Sequence, residues 1–281
     1  MGVVVFPLAP ILAGLFGLLI GSFLNVCIYR WPRDLSVVRP RSACPSCSHP
    51  IAWYDNIPLL SFLILRGRCR NCRTAIPWTY PAVELLTGVF FAFFVGKLGL
   101  NLAAAKDCLF ASLMIGLIFS DLDTRLLPDE FTIGGLVAGL AFAFWVPLPP
   151  TVFGMVAYMA GFRPGLRTVS AGEALVGATL PTGVFLLLLW GFEKIRHKEG
   201  AGFGDVKMIA MMGAFLGIGD ALMALLLGSL AGSIMGIVYI KVTGKDFASY
   251  GLPMAAFLGA AGLAVTALNA GLFGWQTHFM R

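Results

Sequence analysis

The chain has 281 residues, 58% of them hydrophobic and only 12% charged, with a mean hydropathy of +0.87. A soluble domain carries about twice that share of charge, so the composition excludes an ordinary cytosolic globular protein and indicates a polytopic membrane protein. In a membrane the net charge of +6 is a question of which side the basic residues occupy, and it does not signal nucleic acid.

The first apolar run, residues 8–28, is long enough to span a bilayer. No basic region precedes it and no small-residue cleavage site follows, so it reads as a retained helix rather than a signal peptide. Further runs lie near 81–99, 103–120, 131–147, 171–192, 205–219, 221–240 and 252–275, which makes about eight spans in an all-α protein. The abundance of Gly (34) and Phe (23) suits helices packed in lipid.

Segment 29–80 is polar and too long for a turn. It carries Arg30, Arg33, Arg39, Arg41, Arg66, Arg68, Arg70 and Arg73. The positive-inside rule makes it cytoplasmic and puts the N-terminus outside. Alternation then places FSDLDTRLLPDE (119–130), the 193–204 loop with Lys194, Arg196, His197 and Lys198, and the loop from Lys241 to Lys245 on the cytoplasmic side. Segment 148–170 falls outside despite Arg163 and Arg167, and its apolar middle suggests an outer hairpin or interfacial helix. The chain thus divides into a first helix (1–28), a cytoplasmic loop domain (29–80) and a transmembrane domain (81–281). No convincing internal repeat is visible.

The loop domain contains CPSC, with Cys44 and Cys47, and CRNC, with Cys69 and Cys72. Two such knuckles supply four thiolates for a tetrahedral zinc. Disulfides are disfavoured in the cytoplasm, and four Cys ligands leave no open position for water, so the zinc is structural rather than catalytic. It can fold a small loop that has no core of its own.

Two carboxylates stand against apolar runs on the predicted cytoplasmic side. Asp121 ends the third run, and Asp205 lies in GFGD where a loop enters the sixth. Carboxylates at that depth are functional-site candidates. Two brought within about 4 Å repel by about 4 kcal/mol at an effective dielectric near 20, so they share one proton. One then acts as base on a water while its protonated partner donates to a carbonyl oxygen, as in aspartic proteases. Asp123 competes with Asp121 but lies further from the membrane. Asp205 has the alternative role of helix cap, and Asp129 in LPDE reads as the cap of the fourth helix.

These residues resemble the type IV prepilin peptidases, bifunctional leader peptidase and N-methyltransferase enzymes of bacterial inner membranes. The resemblance runs through GSFLNVCIYR (21–30), the cysteine loop (44–72), YPAVELLTG (80–88), SDLDTRLLPD (120–129) and GFGDVK (202–207). It implies that Asp121 and Asp205 are the catalytic pair of a GxGD membrane aspartic endopeptidase. It implies type IV prepilins or pseudopilins as substrates. Their short basic leader would be cut after Gly on the cytoplasmic face. The new N-terminus would then be methylated with S-adenosylmethionine as donor. The zinc loop and eight-helix topology match the family pattern. Asp55 stands where the family more often has Glu, and segment 148–170 is longer than the usual outer connection.

No glycine-rich nucleotide fingerprint is present, so methyl transfer rests on the resemblance alone. Asn25, Gly67 and Glu84 are the candidates for holding the donor. Asn25 has the alternative of an interhelical hydrogen bond, and Glu84 of a helix-start charge. A competing reading of the whole chain is a proton-coupled transporter relaying protons through Asp121 and Asp205. A third is a scaffold that docks a partner through the zinc loop.

Overall fold

The computed structural model describes residues 8–196, 202–243 and 253–273. His197 and Lys198 of the 193–204 loop, and Lys245, lie outside the described residues. Among the described residues all regular structure is helical apart from two isolated β-bridges in the cysteine loop. Two compact units divide the chain at 120/121.

The first unit begins with α1 (Leu8–Arg30) and continues through the loop, which holds the short α2 (Leu60–Ile64), to α3 (Thr79–Leu98) and most of α4 (Leu102–Thr124). α1 and α3 pack along their lengths. The ring of Phe16 lies 6.1 Å from that of Phe91, and the Asn25 side chain donates to the Tyr80 carbonyl at 3.0 Å. On its other face α1 leaves Ile11, Leu15 and Leu19 more than half exposed, as a lipid-facing helix should. Arg30 closes the helix C-terminus, where a cation is favoured, and its guanidinium donates to the Ser36 and Pro40 carbonyls at 2.7 and 2.8 Å. That bond pair folds the start of the loop back on the helix end.

Within the loop, Arg70 makes a bidentate pair with Asp55 at 2.6 and 2.7 Å. The guanidinium holds the Asp55 carboxyl below the usual carboxylate range. Its stabilisation is therefore present above the ordinary carboxylate pKa and is lost as pH falls through the lowered value. α4 contains something hydropathy does not reveal: Lys106 and Asp107 are 3% and 2% exposed, with 3.9 Å between ammonium and carboxylate.

The second unit runs through α5 (Asp129–Trp145), α6 (Val152–Met159), α7 (Leu166–Arg196), α8 (Phe203–Thr243) and α9 (Met254–Leu268), with a π-turn at Asn269–Phe273. α8 has 41 residues, about 60 Å at 1.5 Å per residue and twice a bilayer core. It breaks at Gly217, whose φ of 74° and ψ of 175° are open to glycine and strained for other residues. The two segments so formed match the runs expected at 205–219 and 221–240. Six described helices are long and apolar enough to cross a membrane. α5, with 17 residues, is just below that length. With α5 included and α8 counted twice, the protein has about eight spans, as hydropathy indicates.

The long segment 148–170 is built into the unit by two side chains of α7. The Ser170 hydroxyl donates to the Ala143 carbonyl at 2.5 Å and accepts the Leu148 N–H at 2.9 Å. Glu173, fully buried, accepts the Thr151 N–H at 2.5 Å, the Thr151 hydroxyl at 2.6 Å and the Gly154 N–H at 2.9 Å. It thereby caps α6 from another helix and satisfies donors that its own N-terminus leaves open. Glu173→Ala orphans those donors and costs about 2–4 kcal/mol. The expected result is a lower thermal midpoint for the detergent-solubilised protein, partly restored in Glu173→Gln, which keeps one acceptor oxygen.

Candidate active site and metal centre

Asp121 lies one turn before the end of α4 and is 6% exposed, whereas Asp123 is exposed. The difference is helix phase: two residues advance the side chain by about 200° around the axis. The Asp121 carboxylate accepts the Ala256 N–H at 3.1 Å, an N–H in the first turn of α9 that it shares with the N-cap carbonyl of Pro253 at 3.2 Å. Asp205 is the third residue of α8 and half-buried, and its N–H donates to the Gly202 carbonyl at 3.1 Å. Asp121 is near enough for its charge to act on Asp205.

Two helix N-termini, those of α8 and α9, therefore meet the pair. The positive end of each helix dipole favours negative charge there, while burial and mutual repulsion disfavour two charges. Such opposed terms are the setting in which two neighbouring carboxylates share one proton. Asp205 at the third position of α8 is past the cap. Asp129 is not a cap either: Pro128 occupies that position without a side-chain bond. Asp129 instead pairs with Lys207, and this bond ties the first turn of α5 to the start of α8's second turn. The segments SDLDTRLLPD and GFGDVK are thus held together by their own charged residues.

The cysteine loop repeats one local geometry twice. The Cys44 N–H donates to the His49 carbonyl and the Ser48 N–H to Cys44; the Cys69 N–H donates to Thr74 and the Arg73 N–H to Cys69, all at 2.8–3.0 Å. Antiparallel bridges Ala43–Pro50 and Arg68–Ala75 close the two turns. The sulfurs of Cys44, Cys47, Cys69 and Cys72 lie within 4.8 Å of one another, and those of Cys44 and Cys72 are 3.7 Å apart. Tetrahedral zinc with arms of about 2.3 Å separates its sulfurs by about 3.8 Å. The Thr74 hydroxyl and backbone N–H hold the Cys72 thiol down to about 6. The Cys47 backbone opposes it, but burial and neighbouring thiols push Cys44 up to about 11. Such crowding suits thiolates only when a dication neutralises them, so these four residues fit a zinc ion. His49 is exposed, and its carbonyl, not its ring, makes the contact described.

The three candidates for the methyl donor are placed differently. Asn25 bonds α3, as above. Glu84 accepts the Leu59 N–H at 2.8 Å, and the Ser22 hydroxyl also bonds it. Asn25 therefore joins α1 to α3, and Glu84 joins α3 to both α1 and the loop. Gly67 has φ +66°, and a Cβ there would lie 3.0 Å from the Phe62 ring. It borders an open cavity of about 650 Å³ together with Phe62, Arg66, Arg68, Ile76 and Trp78. Cavities of that size take small organic ligands.

A family model described as Bacterial Peptidase A24 N-terminal domain matches residues 15–98. A second, the Type IV leader peptidase family, matches residues 108–237. The chain is 35% identical over 291 residues to the prepilin leader peptidase/N-methyltransferase of Aeromonas hydrophila, covering 95% of this chain and 93% of that one. The chain belongs to the type IV leader peptidase family. Relatives of the same name share 41% identity in Myxococcus xanthus (85% of this chain, 65% of that one) and 34% in Neisseria gonorrhoeae (86% of each). No solved structure matches. Membership in this leader peptidase family makes the chain an enzyme and a multi-pass inner-membrane protein. Neither the comparisons nor the described residues support a transporter.

Proposed function

We propose that this chain cuts the basic leader from type IV prepilins or pseudopilins after Gly and then N-methylates the new terminus with S-adenosylmethionine. The observation that carries the peptidase half is the approach of Asp121 and Asp205 from α4 and α8, with Asp121 buried and the two motif segments tied by Lys207 and Asp129. In this reading the ionised carboxylate takes a proton from water and the protonated one donates to the scissile carbonyl oxygen. As the carbon–nitrogen bond breaks, the amine leaves with a proton returned from the pair.

The arginines of 29–80 support a cytoplasmic loop, an outside N-terminus and an active site facing the cytoplasm. A prepilin held by its apolar helix with its leader inside would present the scissile bond at that level. Cys44, Cys47, Cys69 and Cys72 would hold a structural zinc, which when bound fixes the loop. The methyl donor is assigned to the cavity at Gly67, with Asn25 and Glu84 positioning the loop against α1 and α3.

Purified protein incubated with a prepilin and labelled S-adenosylmethionine tests both halves, one by leader release and the other by label transfer. Gly67→Ala strains a positive φ and crowds the Phe62 ring. The expected outcome is loss of most label transfer with leader release unchanged. Equal label transfer by Gly67→Ala and wild type would remove that cavity from the donor site.

A further inference from the structure

α2 is inside-out by the standard of a water-soluble surface. Its buried residue is Ser61, 7% exposed, whereas Leu60, Leu63 and Ile64 are 49%, 71% and 65% exposed. The Ser61 hydroxyl donates to the Tyr54 carbonyl at 2.8 Å and accepts the Ile57 N–H at 3.1 Å, so the polar side is committed inward. Trp78, at the N-cap of α3, is 77% exposed and its ring lies 5.0 Å from that of Phe62. These apolar groups adjoin the exposed Arg66 and Arg68.

The depth of this face follows from α3. That helix has 20 residues, about 30 Å, which is the thickness of the hydrocarbon core with none to spare. Its first turns therefore already stand at the edge of the acyl region. Glu84, the sixth residue of α3, bonds the Leu59 N–H at 2.8 Å, which fixes the start of α2 beside the second turn of α3. A helix held at that level with leucine and isoleucine outward faces lipid, not water.

We propose that α2 and Trp78 form an interfacial membrane anchor. Leu60, Leu63, Ile64 and Trp78 seat at the boundary of headgroups and acyl chains, and Arg66 and Arg68 meet the phosphates of anionic phospholipids. By the orientation proposed above this is the cytoplasmic leaflet. The anchor presses the zinc loop and its cavity against the bilayer surface, so the loop is a peripheral membrane module as well as a linker between spans.

The test uses the full chain in nanodiscs and needs no turnover, so it is independent of the peptidase reading. Ile64→Trp and Leu63→Trp each add one indole, read as the difference in emission from wild type. The expected emission is blue-shifted, loses most of its intensity in nanodiscs of phospholipid brominated on the upper acyl carbons, and resists aqueous iodide. Emission quenched by iodide and untouched by brominated lipid overturns the proposal. So does emission that resists both, which indicates a second copy or another protein on this face. Should either variant lose zinc or fail to fold, the same reading is taken from wild type minus Trp78→Phe. Arg66→Gln with Arg68→Gln is expected to reduce lipid quenching in phosphatidylglycerol nanodiscs and not in phosphatidylcholine ones. Equal effects in both lipids remove the anionic headgroups from the proposal.

Discussion

Asp121→Asn and Asp205→Asn are each expected to slow leader release from a prepilin by about a thousandfold or more, with zinc content and thermal midpoint close to wild type. The substitution keeps size and removes the ability to exchange a proton near neutral pH. Asparagine at 121 still accepts the Ala256 N–H, so the contact between α4 and α9 survives. If the two groups act as one proton-sharing unit, as proposed, the double variant should be scarcely slower than either single variant. Asp123→Asn is the control. Its carboxylate is exposed, and its cleavage rate should stay within a few-fold of wild type. Undiminished cleavage by either single variant would refute the pair, and a large loss at Asp123 alone would move the assignment there. Label transfer assayed on a pre-cleaved substrate should be unaffected in all three, which separates the two reactions.

Removing the proposed zinc ligands should have the second largest effect. Cys44→Ser with Cys69→Ser takes one sulfur from each knuckle. Metal analysis is expected to show zinc falling from about one per chain to background, as for other four-cysteine sites. The described loop has no large apolar core: two isolated β-bridges, the Asp55–Arg70 pair, a five-residue helix and a few hydrogen bonds to α1 and α3 hold it. Structural zinc in small domains supplies about 10 kcal/mol or more of apparent folding free energy. Hydrogen exchange across residues 42–76 should accelerate strongly as a result. Cleavage by Asp121 and Asp205 is expected to persist, while label transfer is lost with the cavity at Gly67. Retained zinc with an unchanged exchange pattern would show that the four thiols are not the ligand set.

Hydropathy located nearly every helix because a span must satisfy its backbone internally and cover it with apolar side chains, a demand that each segment meets by itself. Local sequence was also enough for the two cysteine knuckles, whose partners lie only a few residues apart. It failed at Asp129, where LPDE has the composition of a cap but the side chain pairs with Lys207, 78 residues away. It was silent on Glu173, Lys106 and Asp107. A few charges do not lower the mean of a long apolar run enough to announce themselves.

The sequence by itself determined an all-helical membrane chain, its roughly eight spans, the four-thiol loop and the two motifs that hold Asp121 and Asp205. All of these are short-range patterns or bulk properties. Only the tertiary structure decided which acidic residue of the 119–130 stretch is dry, because burial depends on helix phase and on what packs against it. It also decided that the α9 N-terminus serves Asp121, that Glu173 of the following helix caps α6, and that α2 turns its leucines outward. The Asp121 contact joins groups 135 residues apart, the others join separate elements or turns, and no local periodicity encodes which of them will meet.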